Sequence, residues 1–91
     1  MLTAKITKTA VDLHADKTYL IGVAEYYDEA LNFRVAFNQE DLDEHDEFID
    51  RLRDKIAEEF GIHTYQVEID RFKILDKMVF WQHLFNSMEI H

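Results

Sequence analysis

Leu31, Phe33, Val35 and Phe37 alternate without a break against Asn32, Arg34, Ala36 and Asn38. A period of two sends one set to each face of an extended chain, so this stretch is a strand with one apolar face. Two more extended stretches precede it. Leu2, Ala4, Ile6 and Ala10 alternate with Thr3, Lys5, Thr7 and Thr9. Their apolar phase then slips to Val11 and Leu13, as it does at a bulge or a strand end. Residues 18–27 are apolar on both faces, with Tyr19, Ile21, Val23 and Tyr27 on one and Leu20, Gly22, Ala24 and Tyr26 on the other. That is the pattern of a central strand. Gly22 and Ala24 leave room for a bulky neighbour. The odd-numbered face, which Glu25 interrupts, is expected to look inward. His14-Ala15-Asp16-Lys17 and Asp28-Glu29 are short connections, so the three strands are expected to pair in sequence as an antiparallel meander.

A helical period follows. Leu42, Ile49, Leu52, Ile56 and Phe60 recur at helical spacing, with Phe48 and Ala57 beside them. Asp43 is the expected N-cap of a helix over 43–60. Gly61 is its expected stop, taking the left-handed position while Ile62 folds back on Ala57. Tyr65, Val67 and Ile69 alternate with Gln66, Glu68 and Asp70, which predicts a fourth strand. From Ile74 onward, Met78, Trp81, Leu84, Phe85 and Met88 share one side of a 3.6-residue period, with Asp76, His83 and Ser87 on the other. A second helix over 75–88 is expected, with a strand through 72–81 as the competing reading. The fold class is α+β: an antiparallel sheet with two helices packed on one face, in the order βββαβα. Residues 1–91 make one small domain.

Composition narrows the function. Apolar residues make up 47% and aromatics 13%, too many for a disordered chain. Cysteine is absent, which removes thiolate nucleophiles, thiolate metal sites and disulfides and fits a reducing compartment. The N-terminal stretch lacks the apolar run of a signal peptide. The longest apolar run, Met78–Trp81, is far short of the ~20 residues that cross a bilayer. The expected location is the cytoplasm.

Charge is the sharpest functional signal. Ten of the 19 acidic residues lie between Glu40 and Glu59, against Arg51, Arg53 and Lys55 alone. This stretch therefore carries −7 of the formal −9, and the flanking segments −1 each. On the expected helix, Asp43, Asp46, Glu47, Asp50, Asp54 and Glu58 cover one arc, mainly opposite Leu52 and Phe48. Asp46, Asp50, Asp54 and Glu58 recur every four residues, about 6 Å apart along the axis. Like charges at that spacing cost roughly 0.2–0.5 kcal/mol per pair. A face that costs stability points to a cationic partner; a merely solvated face that keeps a small domain soluble is the plainer account. Direct binding to nucleic-acid backbone or to an anionic membrane is disfavoured by the same charge.

No catalytic or cofactor signature accompanies it. Asp41–Asp46 begins like a calcium loop, but Asp46 stands where the loop needs glycine and Leu52 where it needs the bidentate glutamate. His45-Asp46-Glu47 lacks the cysteine pair of a zinc deaminase. His14, His45, His63, His83 and His91 have no metal-ligand spacing, and His45 falls near the apolar side of its helix. Ser87 has no nucleophile-elbow context, and Gly22 and Gly61 stand alone. No metal or cofactor is expected.

The expected function is a non-catalytic interaction domain whose acidic helix engages a basic protein. Its sharpest form is an inhibitor or regulator that imitates nucleic-acid phosphates and occupies a nucleic-acid-binding protein. Self-assembly into a homo-oligomer is the second reading, with Val79, Phe80 and Trp81 as the candidate interface, because aromatics and Met favour such surfaces. A small enzyme using Glu25 or a histidine as acid or base in a sheet–helix pocket is the third.

Overall fold

The computed structural model describes residues 2–89. Three long strands, β1 (Ala4–His14), β2 (Lys17–Tyr26) and β3 (Glu29–Phe37), form the antiparallel meander. Ala15 and Asp16 close the first hairpin with φ of 49° and 69°. Two left-handed residues make the mirror-image turn that matches strand twist. Tyr27, with φ of 54°, opens the second connection. The slip in apolar phase along β1 is a bulge, with the register shifting between Ile6 and Lys8. It returns Thr9, Val11 and Leu13 to the face that Ala4 and Ile6 began.

The register decides which face is inside. Leu20 lies opposite Val11 and Val35, and Ala24 lies opposite Ile6 and Leu31. The even residues of β2 thus share a face with the apolar set of β3 and point into the core. Its odd face, expected to be inward, is the outer one: Tyr19, Ile21 and Val23 are half-buried there, and Glu25 is exposed. Both faces of β2 are apolar, so the neighbours set the choice. The alternation of β3 has only one apolar face to offer. The ring of Phe33 sits over Gly22, where a Cβ would lie 2.5 Å from Cζ.

The helical segment begins earlier than its apolar period suggests, and it is broken. Helix α1 (Gln39–Asp43) is capped by Asn38, whose side chain accepts from the Asp41 backbone N–H while the Asp41 carboxylate accepts from that of Asn38. The expected N-cap, Asp43, is instead the last residue of α1. The reciprocal cap satisfies free N–H groups one turn sooner than Asp43 would. The chain kinks at Glu44 (φ −108°, ψ 53°) and continues as α2 (His45–Phe60). Gly61 ends α2 in the left-handed conformation, φ 68°, and the Ile62 N–H donates to the Ala57 carbonyl as expected.

The fourth strand is short. Thr64–Gln66 is a 3₁₀ turn that leaves Tyr65 exposed and stacked on His63 at 5.1 Å. Only Val67 and Glu68 form β4, pairing parallel to Ala4 and Lys5 of β1. The sheet order is β3-β2-β1-β4, and the sheet is mixed. Parallel pairing follows because α1 and α2 carry the chain back across the sheet before it re-enters at the far edge. Asp70 then turns the chain and caps α3 (Arg71–Glu89), accepting from the Lys73 N–H. The helical reading of 72–81 holds, starting four residues earlier than expected.

The core lies between one sheet face and the helices: Leu20, Phe33 and Phe37 from the sheet, Phe48, Leu52 and Ile56 from α2, Ile74 and Met78 from α3. Trp81 packs on its edge. The core assignments of Phe85 and Met88 lie outside the residues whose side chains are described. Among the described residues, no helix is long and apolar enough to cross a membrane.

Candidate acidic interface

The six acids singled out from the sequence do not form one uniform row. Asp46, Asp50, Asp54 and Glu58 do share the exposed side of α2. Two of them are neutralised. Asp46 is ion-paired to Arg71 at the start of α3, and Asp50 accepts from Arg53 at 3.0 Å. A third acid of the stretch, Asp41, is held by Arg51. These pairs leave Asp54 and Glu58 on the helix flank and concentrate charge where α1 meets α2.

At that junction Glu40, Asp43, Glu44 and Glu47 lie on successive turns, all exposed. Among the described residues none has a cationic side chain within 4.0 Å. Asp43 accepts only from the neutral Gln39 amide, at 3.2 Å. The Glu44 carboxyl is pushed above its ordinary 4.5, first by a hydrogen bond shared with the Glu47 side chain, then by the charge of Glu47, with Glu40 and Asp43 adding to it. Ionised carboxylates crowded on adjoining turns repel one another, and a proton held on Glu44 relieves part of that repulsion. Glu40 and Glu44 were not part of the sequence-derived set. Asn38 followed three residues later by Asp41 is the signal that would have found them, because a cap there starts the helix early and brings Glu40 onto the same turn as Glu44.

A second group of bases lies away from the junction. Lys5, Lys8, Arg53 and Lys73 line an open groove of about 620 Å³ between β1, β4 and the first turns of α3, with Glu68 and Asp70 among them. Lys5 pairs with Glu68 at 3.6 Å. Arg34 reaches across the outer sheet face, stacks over Tyr19 at 4.1 Å and pairs with Asp12 at 3.6 Å. Arg51, Arg53 and Lys55 lie among the acids on α2 itself, and Arg71 reaches Asp46 from the start of α3.

The other candidates are dispersed. Glu25 stands on the open outer sheet face. His45 lies half-buried against Phe48, with its Nε2 3.2 Å from the Arg71 carbonyl and its Nδ1 buried without a partner. It is a packing residue at the junction of α2 and α3, as its place near the apolar side suggests. His63 stacks on Tyr65, and His83 is exposed on α3. Among the described residues, Glu25 and a histidine are not brought into one pocket. Among the described residues, no three His, Asp or Glu side chains are placed to hold a metal ion. Val79 and Phe80 are exposed on α3, whereas Trp81 turns toward the core. Compared with protein-family models, curated proteins and solved structures, the chain matches none.

Proposed function

We propose that this protein is a non-catalytic interaction domain that binds a basic protein through the acidic surface at the α1–α2 junction. The carrying observation is the crowding of Glu40, Asp43, Glu44 and Glu47, which raises the Glu44 pKa and, among the described residues, leaves all four without a cation. Nothing in the folded chain gains from this arrangement. A cationic partner relieves it, and relief of repulsion adds to the attraction. The junction is also held in shape, by the Asn38–Asp41 cap and the Arg51–Asp41 and Arg71–Asp46 pairs, so little ordering is lost on binding. Fixed carboxylates on a helical scaffold imitate the phosphates that a nucleic-acid-binding protein recognises, and that class of partner is the one we favour.

The test compares the wild type with the Glu40→Gln, Asp43→Asn, Glu44→Gln, Glu47→Gln variant as bait in lysate from the source cell. Basic proteins are expected on the wild-type bait at low salt, to be displaced by added DNA, and to be lost at 1 M salt, where the Debye length is about 3 Å. The variant is expected to hold few of them. An identical set of proteins on both baits would overturn the reading.

A further inference from the structure

Helix α3 is apolar on opposite sides. Ile74 and Met78 are buried and Trp81 packs on the same core, yet Phe72, Val79, Phe80 and Leu84 are 72, 47, 60 and 40% exposed. At about 100° per residue, Val79, Phe72 and Phe80 fall within an arc of about 100°, and Asp76 and His83 lie between them. Both of these polar residues are exposed. A helix on the outside of a small domain ordinarily turns a polar face to water, and on α3 that face is mixed, with Phe72, Val79 and Phe80 exposed beside Lys73, Asp76 and His83.

We propose that this arc is a two-fold interface, in which α3 packs antiparallel against α3 of a second copy of this chain about an axis between Val79 and Phe80. The charge pattern of this face is self-complementary, which suits a second copy, and it fixes the register. Around that axis the apolar pair Val79 and Phe80 meets itself at the centre. Asp76 of each copy falls opposite His83 of the other, on both sides of the centre, because the two residues are equidistant from the axis. A shift of one heptad either way sets Asp76 against Asp76 or His83 against His83. Parallel packing sets both against themselves. Only one antiparallel register therefore pairs acceptor with donor, and the two heptad-shifted ones set like groups against each other. Such an interface is isologous and closes at two chains.

The covered apolar surface is on the order of a few hundred Å² per copy, below the roughly 800 Å² per partner of a standard interface. The dimer is therefore expected to be weak and concentration-dependent. It is independent of the acidic surface on α1 and α2, so either reading can fail without the other.

Sedimentation equilibrium over a concentration series tests it. The wild type is expected to pass from one-chain to two-chain mass. Phe80→Glu is expected to weaken the dimer by at least about tenfold while its melting curve shows a folded chain. His83→Asp places like charges opposite each other and is expected to weaken it too. Adding Asp76→His to that variant exchanges the pair and is expected to restore it, which keeps the test open should Phe80→Glu fail to fold. The chain has no cysteine, so Val79→Cys puts a single thiol beside the axis. Mild oxidation should link it into a two-chain species far faster than it links Glu25→Cys on the outer sheet face. One-chain mass at every concentration would overturn the proposal. So would a dimer that Phe80→Glu and His83→Asp leave intact, a double variant no tighter than His83→Asp alone, or equal cross-linking of the two cysteine variants.

Discussion

Gly22 and Gly61 are the only glycines in the chain, and they are needed for unrelated reasons. At Gly22 the backbone is ordinary, but a Cβ would fall 2.3 Å from the Lys8 carbonyl oxygen and 2.5 Å from the Phe33 ring. The carbonyl belongs to the bulged part of β1 and cannot step aside cheaply. Gly22→Ala is therefore expected to cost roughly 1–3 kcal/mol by overpacking. At Gly61 a Cβ meets nothing within 4 Å, and the cost lies in φ of 68°. Gly61→Ala is expected to cost about 1 kcal/mol through backbone strain alone. Thermal melts of the two variants separate the causes, since Gly61→Asn should recover part of the loss and Gly22→Asn none. Glu44 supplies a pH signature at the same scale. Its folded pKa is raised, so the folded state holds this proton more tightly than the unfolded chain does. Ionised Glu44 therefore works against the fold, an effect that is present above the raised pKa and vanishes below 4.5, where the carboxyl is protonated in both states. Glu44→Gln is expected to raise the melting temperature near neutral pH and to leave it unchanged at pH below that value.

Among the elements, the α1–α2 pair depends on a cap that lies outside the apolar period. Asn38→Ala removes the acceptor for the Asp41 N–H and is expected to cost about 1 kcal/mol. Circular dichroism should report less helix if α1 frays. In α3 the two sides of the helix should respond differently. Trp81 packs against the core, so Trp81→Ala is expected to cost about 2 kcal/mol or more, whereas Phe80→Ala, on the exposed side, should stay within about 0.5 kcal/mol in dilute solution. Urea titrations measure both. Equal costs would mean that the helix is rotated from the placement described here.

For the molecule as a whole, the charge of −9 is concentrated on one surface, and screening should help the fold. The melting temperature near neutral pH is expected to rise as salt increases toward 0.15 M, where the Debye length is about 8 Å. The Glu40→Gln, Asp43→Asn, Glu44→Gln, Glu47→Gln variant should start higher and respond less, because the repulsion being screened is gone.

Local periodicity determined the fold class, the succession of three strands, a helical segment, a fourth strand and a last helix, the stop at Gly61 and the acidity of the central segment, because each depends on residues within a few positions of one another; it missed the break at Glu44 that splits that segment into α1 and α2. It could not determine which face of β2 is buried. That choice rests on Leu31, Phe33, Val35 and Phe37 pairing beside it, and both faces of β2 are apolar. It overstated the fourth strand, since the alternation of Tyr65, Val67 and Ile69 meets only Ala4 and Lys5 of β1 before the chain turns at Asp70. Asp43, Asp46, Glu47, Asp50, Asp54 and Glu58 were legible as exposed acids from helical geometry. That Arg71, 25 positions beyond Asp46, neutralises it was not, because such a pair exists only once α3 has docked on α2. The docking of α3 therefore completed a shift of negative charge from the length of α2 to the α1–α2 junction that the local Asn38 cap and the Arg53–Asp50 and Arg51–Asp41 pairs had begun. The buried side of α3, with Ile74, Met78 and Trp81, was legible from the 3.6-residue period, whereas the exposure of Leu84, placed on that side by the same period, depends on where the sheet and α2 end.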